Sequence, residues 1–460
     1  MRPSFRGAFT LLGLAVTAAL TAGCTDETAP NSTDPTATSI ASGVDCVAVR
    51  EACETVNIDG RTYRYSLTSG DGAQQFRGGS KSVVLFDLGG PGKALFGTGE
   101  ATYIASQWQG PERLLFLEEP WVTQEVTGNC AESLRLFYRG LHDATSLPAS
   151  KVAEACRLQE RGKWGWSPSN YRGVVEAILE KEKLDLVGVV GASFGAPRVR
   201  ALMETLNVEW AIFNSPAPYG LDGDEYVDSR AAAAVQVAQE ACHECKEPNG
   251  VERLIDSTQV ALRESPIELE TRTPLLTSTD VAAATIGSAY LSKGDRAEFI
   301  SELARFGPKG ADLVAEISDS TLLRFGAEDM SPAILAYFDE VCRSYAPWES
   351  VDGRDDSVAG TLGRLHAPCR SVTTTGPHST QQRGEVVVPT CLIYSESDGV
   401  TPPQFVMPWR HSLGSEGTVL LESESGHASL DMTLRCYRTL VLDQEGESLN
   451  SSAGAGRVLD

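Results

Sequence analysis

Residues 184–206 read LDLVGVVGASFGAPRVRALMETL, and this stretch changes character at its Gly-Ala-Ser-Phe-Gly segment. The apolar run 184–190 predicts a buried strand, and the apolar residues of 199–206 recur at the spacing of one helix face. Ser193 lies at the break, with a glycine two positions to either side. A sharp strand-to-helix turn presents a strained serine hydroxyl, and small flanking residues leave room for it. This context favours a nucleophile elbow over a tight turn with an incidental serine.

Strand and helix patterns alternate on both sides of the elbow. Strands are predicted at 81–88, 113–117, 184–190, 209–214, 386–394 and 418–421. Helices are predicted at 168–183, with Ser167 as N-cap, and near 434–442. Residues 44–68 alternate like short strands around a hairpin turn at 58–61. Repeated alternation of this kind predicts an α/β fold whose mostly parallel sheet is covered on both faces.

The middle of the chain interrupts this alternation. Residues 219–384 are rich in alanine and helical in pattern, as in AAAAVQVAQEAC at 231–242, and they contain few β-rich runs. We interpret this block as a helical cap inserted between two parts of one core domain, 43–218 and 385–446. Residues 447–460 are predicted to form a flexible tail.

The N-terminus has the pattern of an export signal. Residues 1–23 combine a basic start, an apolar run and small residues before Cys24. Because the ending LTAGC resembles a lipobox, we expect Cys24 to be acylated and to anchor the protein on the cell membrane, facing outward. Ordinary cleavage followed by secretion is the alternative. Residues 24–42 are polar and rich in Thr, Ser and Pro, which predicts a flexible tether.

Charge and motif content argue against several classes of function. The formal charge of the 460-residue chain is -23, and such a surface repels nucleic acid and anionic lipid. The chain carries no dinucleotide-binding fingerprint and no HExxH sequence, so we expect neither a nucleotide or flavin cofactor nor a metal. The sequence leaves the oligomeric state open.

The chain contains eleven cysteines, and behind an export signal these predict disulfides. Acylation of Cys24 would leave ten, an even number. Local spacing suggests five pairs, which are Cys46 with Cys53, Cys130 with Cys156, Cys242 with Cys245, Cys342 with Cys369, and Cys391 with Cys436. The CHEC segment at 242–245 is also compatible with half of a metal site, but no second cluster with ligand spacing accompanies it. The disulfide interpretation is therefore preferred, although sequence alone does not fix connectivity.

A nucleophilic serine needs a base, and chains with such an elbow carry serine, acid and histidine in that order. His427 closely follows the strand predicted at 418–421, where a loop at the C-terminal sheet edge would place its imidazole beside Ser193. His411 lies in a predicted helix between two strands and is expected at the surface. His427 is therefore the predicted base.

The acid should follow the preceding strand, and Asp398 does so within the sequence SDGVTP. Its expected task is to hold the imidazole in one tautomer and to stabilise its charged form. Glu396 is the nearest competitor. Asp222 and Asp224 are candidates if the acid instead follows the strand at 209–214. Outside such a role, each of these carboxylates is expected to be an ordinary solvated loop residue.

An acyl-transfer site also needs two amide donors for the developing oxyanion. The residue after the nucleophile, Phe194, is expected to supply one of them. The other should come from an early loop after a strand, and the Gly-Gly-Pro-Gly segment at 89–92 fits that place. We predict that Gly90 supplies the amide, since glycines permit close approach of the backbone. By itself the segment is an ordinary glycine-rich turn.

Together these motifs resemble α/β-hydrolase serine peptidases of the proline iminopeptidase and actinobacterial tripeptidyl aminopeptidase type. The resemblance covers about 80–440 and rests on GGPG at 89–92, GASFG at 191–195, DGVTP at 398–402, and GH at 426–427 with Cys436 beyond it. It implies an α/β-hydrolase fold with a helical cap, an exported enzyme, and Ser193, Asp398 and His427 as nucleophile, acid and base. It also implies removal of short pieces from peptide N-termini.

The chain departs from those relatives in one segment. They usually carry Asp-x-Arg-Gly after the strand at 113–117, whereas this chain has Glu118-Glu119-Pro120-Trp121. An aminopeptidase must also recognise a free ammonium, usually with carboxylates. The leading hypothesis is an exopeptidase that works through an acyl-enzyme on a peptide or small acyl substrate. An esterase or amidase on the same fold is the close alternative, and a noncatalytic binding protein that retains the fold is the second.

Overall fold

The computed structural model describes residues 53–69, 81–96, 99–122, 126–142, 149–161, 165–242, 245, 247, 249–269, 272–323, 331, 333–349, 355–373, 388–413, 418–423 and 426–442. The signal segment, the tether with Cys24, and the tail therefore lie outside the described residues. So does Cys46, and the pair it was predicted to form with Cys53 stays a prediction. No helix in the described ranges is long and apolar enough to cross a membrane.

The strands run in chain order as β1 Cys53–Ile58, β2 Arg61–Ser69, β3 Ser82–Asp87, β4 Arg113–Leu117, β5 Asp185–Ala192, β6 Trp210–Asn214, β7 Ile267–Leu269, β8 Arg272–Leu276, β9 Thr390–Tyr394 and β10 Thr418–Glu422. Eight of them form one sheet in the order β1-β2-β4-β3-β5-β6-β9-β10, and β7 pairs with β8 separately. Within the large sheet β2 runs antiparallel to both of its neighbours, and the pairs from β4 to β10 are all parallel. This strand order and direction are those of the α/β-hydrolase fold, which confirms the predicted fold class.

The helices are α1 Glu100–Gln107, α2 Gly128–His142, α3 Ala149–Ala155, α4 Leu158–Arg161, α5 Pro168–Glu182, α6 Gly195–Leu202, α7 Gly223–Ala241, α8 Gly250–Glu264, α9 Ser278–Ser288, α10 Lys293–Arg305, α11 Pro308–Thr321, α12 Ala333–Ser344, α13 Val358–Leu365, α14 Pro403–Ser412 and α15 Leu430–Tyr437. The start of α5 follows the sequence signals, since Ser167 accepts a hydrogen bond from the Asn170 amide and Pro168 occupies the first turn. A short 3-10 turn, Ala367–Ser371, follows α13.

The two faces of the sheet bury alternate residues of its central strands, as β3 illustrates. Val83 and Leu85 of β3 pack in one apolar cluster with α5 and α6, whereas Val84 and Phe86 pack in another with α1 and α15. Successive side chains of a strand point to opposite faces, so a strand covered on both sides is apolar at nearly every position. This double coverage explains the continuous apolar runs from which the strands were predicted.

A third apolar cluster forms a separate helical layer over the C-terminal edge of the sheet. Helices α7 to α13 lie between β6 and β9 in the chain, and every residue of α9 at the centre of this layer is buried. Helices α2, α3 and α4, which lie within 43–218, pack in the same cluster. An amphipathic pattern shows that one helix face is buried, but it does not show which layer covers that face.

Disulfides cross-link residues within each of these layers. The structure joins Cys130 to Cys156, Cys242 to Cys245, Cys342 to Cys369, and Cys391 to Cys436, which are four of the five suggested pairs. The Cys130–Cys156 and Cys342–Cys369 disulfides cross-link the helical layer, and the Cys391–Cys436 disulfide joins β9 to α15 within the core. Both sulfurs of the CHEC segment are bonded to each other, so in this structure they are not metal ligands.

Candidate active site

The turn between β5 and α6 has the conformation of a nucleophile elbow. Ser193 has φ 51°, a left-handed value that is strained for a non-glycine residue. Its amide donates to the Asn214 carbonyl at the end of β6, 2.9 Å away. A Cβ on Gly191 would lie 2.6 Å from the Cα of Ala196, and one on Gly195 would collide with the backbone of Asp87. The two flanking glycines are therefore required by close packing on both sides of the serine.

Asp398 and His427 form a hydrogen-bonded pair. The distance from His427 Nδ1 to Asp398 Oδ2 is 2.9 Å. Asp398 is buried, and its other oxygen accepts hydrogen bonds from the amides of Val400 and Thr401 at 2.8 and 2.9 Å. Burial acts to raise the pKa of Asp398, but His427 and the bonds from Thr401 outweigh burial and hold that pKa below its usual value. The carboxylate is therefore ionised and fixed.

The end of β6 connects this pair to the elbow. Asn214, which accepts from the Ser193 amide, donates from its side chain to the carbonyl of Ser429 at 2.7 Å. The hydroxyl of Ser215 accepts from the Ala428 amide at 3.1 Å. Asn214, the last residue of β6, and Ser215, which follows it, thus bind both the strained serine and the chain segment that directly follows His427. The three residues predicted as nucleophile, acid and base are brought to one sheet edge by these contacts.

The Asp398 contact also sets the tautomer of His427. An ionised carboxylate can only accept, so Nδ1 carries the proton and Nε2 presents its lone pair. Within the described ranges no hydrogen bond joins His427 to the Ser193 hydroxyl. Such bonds are often long before substrate is bound. The pair is therefore built to receive a proton at Nε2, which is the nitrogen left for the reaction.

The competing residues lie elsewhere. His411 is exposed on α14, where its Nδ1 bonds to the Met407 carbonyl of the preceding turn at 2.8 Å. Glu396 is exposed. Asp222 caps the start of α7 by accepting from the Glu225 amide at 2.9 Å. Asp224 lies in the first turn of the same helix. None of these four side chains is placed against His427 in the described structure.

The glycine loop after β3 packs directly on the elbow. Gly89 has φ 75°, and a Cβ there would lie 2.7 Å from the Phe194 amide nitrogen and 2.8 Å from that of Gly195. Gly90 has φ 133° and adjoins Glu119. The amides of Gly90 and Phe194 donate to no other residue in the described part of the chain, and Phe194 stands at the N-terminal end of α6, where a helix favours negative charge. Both amides are thus available to an oxyanion.

Two buried glutamates hold the glycine loop in place, and their signal in the sequence is only a departure from the Asp-x-Arg-Gly segment of the relatives. Glu119 Oε2 accepts from the Gly92 amide at 2.6 Å. Glu118 accepts from the amides of Leu95 and Phe96 at 2.6 and 3.3 Å. Burial raises the pKa of Glu118 to about 7 and also raises that of Glu119. The segment 118–121 therefore supports the loop that carries Gly90.

One of the two buried arginines of α6, Arg198, binds three acids around this loop. Arg198 donates to both oxygens of Glu340, at 3.0 Å each, to Glu119 at 2.6 Å and to Asp87 at 3.2 Å. Burial raises the pKa of Glu340 to about 8, because Arg198 only partly compensates the loss of solvent. We call Arg198, Asp87, Glu119 and Glu340 the arginine cluster. It links the elbow helix, the glycine loop and the cap helix α12.

Aromatic residues of the helical layer cover the elbow and the base. Tyr290 meets the His427 ring edge to face, with ring centres 5.8 Å apart. Tyr345 meets Phe194 in the same way at 5.9 Å, and Tyr226 stacks on Tyr345 at 4.0 Å. Tyr337 bonds through its hydroxyl to His366 at 2.7 Å. We call Tyr226, Tyr290, Tyr337 and Tyr345 the tyrosine wall. It lies on the cap side of the site, and its Tyr290 is exposed to solvent.

No protein-family model matches the chain, and no curated protein sequence does. Among solved structures, an α/β-hydrolase fold protein from Nakamurella multipartita is 14% identical, with a TM-score of 0.34 over 86% of this chain and 95% of that one. An esterase from Exiguobacterium antarcticum is 13% identical, with a TM-score of 0.33 over 84% and 96%. A serine hydrolase from Cycloclasticus zankles is 9% identical, with a TM-score of 0.36 over 85% and 98%. These likenesses are distant, and the fold assignment stands on the strand order described above.

Proposed function

We propose that this chain is a serine hydrolase that forms an acyl-enzyme on Ser193. One observation carries the proposal. The strained serine and a buried Asp398–His427 pair are held at the same sheet edge by adjacent residues, Asn214 and Ser215. A structural turn would need neither an ionised buried carboxylate nor a histidine fixed in one tautomer.

The geometry supports the following sequence of steps. Ser193 Oγ attacks the substrate carbonyl carbon while its proton moves to His427 Nε2. Asp398 keeps the proton on Nδ1 and stabilises the imidazolium that forms. The oxyanion accepts hydrogen bonds from the amides of Phe194 and Gly90. The leaving group departs with the proton from Nε2, and a water activated by the same nitrogen then hydrolyses the acyl-enzyme.

For the substrate, we propose an exopeptidase that releases short N-terminal pieces from peptides. The support is the resemblance carried by GGPG, GASFG, DGVTP and GH, together with the helical layer whose Tyr290 and Tyr345 contact His427 and Phe194. An esterase or amidase that uses the same residues is the second candidate. It is compatible with every contact described at the site, and the names of the solved neighbours include an esterase.

For location, we propose that the protein is exported and held on the cell membrane through an acyl chain on Cys24. The support is the lipobox-like ending LTAGC and the polar segment that follows it. Expression in an exporting bacterium with an alkyne fatty acid tests this proposal. We expect label on the wild type and none on Cys24→Ser. Release of unlabelled wild-type protein into the medium would instead support ordinary cleavage and secretion.

The proposed chemistry is tested by labelling the purified protein with a fluorophosphonate probe. We expect one labelled peptide, containing Ser193, and loss of label in Ser193→Ala. Ser106→Ala, at an exposed position on α1, is the matched control and should label like the wild type. A panel of N-terminal peptide amides and simple acyl esters then separates the two candidate substrates. Folded wild type that takes no label would contradict the proposed function and favour a noncatalytic binding protein.

A further inference from the structure

One cationic side chain stands within the tyrosine wall. Arg230 of α7 is half-buried and donates from Nη1 to the Tyr226 hydroxyl at 3.0 Å. Its Nη2 lies 3.5 Å from the Tyr290 hydroxyl. The guanidinium carbon lies 5.8 and 5.9 Å from the centres of these two rings. Phenols therefore surround the charge on two sides.

This position is close to the reacting groups. Tyr290, which holds one side of the guanidinium, is the same residue that meets the His427 ring at 5.8 Å. Tyr226, which holds the other side, stacks on Tyr345, and Tyr345 contacts Phe194. Arg230 is thus one aromatic ring away from the proposed base and two rings away from the proposed oxyanion donor. One small substrate could therefore contact Arg230 and still place its scissile bond at Ser193.

The charge of Arg230 has no carboxylate to balance it among the described residues. The acids nearest to the reaction centre are engaged elsewhere, since Asp398 binds His427 while Glu119 and Glu340 bind Arg198. Burial raises the pKa of Tyr226 and Tyr337, so these phenols stay neutral and supply no negative charge. A half-buried guanidinium that faces only neutral groups is poised for an anion.

Two buried polar atoms in the wall also lack protein partners. The Nε of Arg230 and the hydroxyl of Tyr345 have no hydrogen-bond partner in the described part of the chain. Buried polar atoms are usually paired, so an orphan donor next to a reaction centre points to a ligand that supplies the acceptor. Arg presents its donors as a planar fork that matches the two oxygens of a carboxylate.

We propose that Arg230 and the phenols beside it bind a carboxylate of the substrate, so that the enzyme selects acids over their neutral amides or esters. This inference rests on the proposed serine hydrolase function and adds the substrate class. It also opposes recognition of an N-terminal ammonium at this part of the wall, because Arg230 repels a cation. In a short peptide the carboxylate would be the C-terminal group or an acidic side chain.

Matched chromogenic esters test the proposal on the full-length protein. One pair places the carboxylate on the acyl side, as p-nitrophenyl hydrogen adipate against p-nitrophenyl adipamate. The other places it on the leaving group, as the acetate esters of 4-hydroxybenzoate and 4-hydroxybenzamide. We expect kcat/KM to favour the acid about 10- to 100-fold in at least one pair, the range for a hydrogen bond to a charged group. The pair that shows the preference locates the carboxylate.

Variants assign that preference to Arg230. Arg230→Gln should remove the preference, measured as the ratio of kcat/KM for the acid to that for its neutral partner, and Arg230→Lys should retain part of it. Arg305→Gln removes an exposed arginine of α10 and should leave kcat/KM unchanged for all four esters. Equal rates for acid and amide in both pairs, or a preference that survives Arg230→Gln, would overturn the inference and leave the hydrolase proposal standing.

A binding measurement separates failure of the inference from failure of the hydrolase proposal. Calorimetric titration of Ser193→Ala with adipate should show binding that adipamide does not match and that Arg230→Gln removes. This readout needs no turnover, so it decides the matter even where no ester is hydrolysed. Absence of any difference between adipate and adipamide in this titration would contradict the carboxylate site.

Discussion

Arg198 and Glu340 meet through two parallel hydrogen bonds, Nε to Oε1 and Nη2 to Oε2, each 3.0 Å long. Arg198 lies on the helix that starts at the elbow, and Glu340 lies on α12 of the cap layer. Since Arg198 also binds Glu119 and Asp87 beneath the glycine loop, one guanidinium fixes three parts of the site relative to one another. The cap is therefore joined to the elbow by buried hydrogen bonds as well as by apolar packing.

Removal of Arg198 should be strongly destabilising. Arg198→Leu leaves Asp87, Glu119 and Glu340 buried with no compensating charge, and breaking a buried ion pair from one side costs about 3–5 kcal/mol. Urea unfolding of the variant against the wild type measures the difference. Arg253→Gln, which removes one side of an exposed pair with Glu247, is the control and should stay within about 0.5 kcal/mol. Equal stabilities for wild type and Arg198→Leu would contradict the role given to the cluster.

Stability should fall with rising pH in a window set by Glu340. Its pKa is raised from 4.5 to about 8 in the folded protein, so the folded state holds this proton more tightly than the unfolded state. The resulting stabilisation is complete below the unfolded pKa and is lost as pH rises through about 8. Glu118, whose pKa is raised to about 7, adds to the same slope. The free energy of unfolding in urea at pH 5 and pH 8 gives the slope.

Glu340→Gln tests that assignment, because glutamine keeps the size and one acceptor but does not titrate. The variant should lose part of the fall between pH 5 and pH 8, with the remainder coming from Glu118. Glu349→Gln, outside the arginine cluster, is the control and should keep the wild-type slope. A variant whose slope equals that of the wild type would show that Glu340 does not titrate in this range.

The sheet and the Ser193, Asp398 and His427 arrangement could be predicted because they depend on local signals. Strands β3 to β6 and β9 are buried along nearly their whole length and are mostly apolar, and each site residue follows a strand or stands at the glycine-flanked break. Parallel strands bring such positions to one edge of the sheet. Chain order and the rules of the fold then suffice to place a serine, an acid and a histidine together.

The arginine cluster and the tyrosine wall could not be predicted, since they join residues that are distant in sequence and differ in type. Glu340 lies 142 residues from Arg198 in the chain. Its neighbours in the sequence do not distinguish it from the solvated glutamates of the cap. The amphipathic faces of α2, α3 and α4 likewise gave no indication that they pack with the cap. Such pairings depend on how the helices dock, which periodicity within one helix does not encode.

Asp398→Asn should nearly abolish turnover while leaving the fold intact. The amide of asparagine can donate to Nδ1, which would favour the tautomer with the proton on Nε2, the nitrogen that must accept the proton of Ser193. Replacement of this kind lowers kcat by about 10⁴-fold where a carboxylate serves as the third member of a triad. The rate of fluorophosphonate labelling measures the effect.

Glu396→Gln, two residues away and exposed, is the control and should label at the wild-type rate. A comparable fall in labelling rate in both variants would argue against a specific role for Asp398.

Gly89→Ala should lower activity because it forces the glycine loop away from the elbow. The new Cβ would lie 2.7 Å from the Phe194 amide nitrogen and 2.8 Å from that of Gly195, so the loop that carries Gly90 must shift. A displaced oxyanion donor costs about 10²–10³-fold in kcat.

Gly60→Ala is the matched control, since Gly60 has a similar φ of 77° but its Cβ would meet nothing within 4 Å. The Gly60→Ala variant has the backbone strain of about 1–2 kcal/mol without the clash, so it should be less stable than the wild type but have the same kcat. Equal kcat values for Gly89→Ala and the wild type would place the second oxyanion donor outside the 89–92 loop.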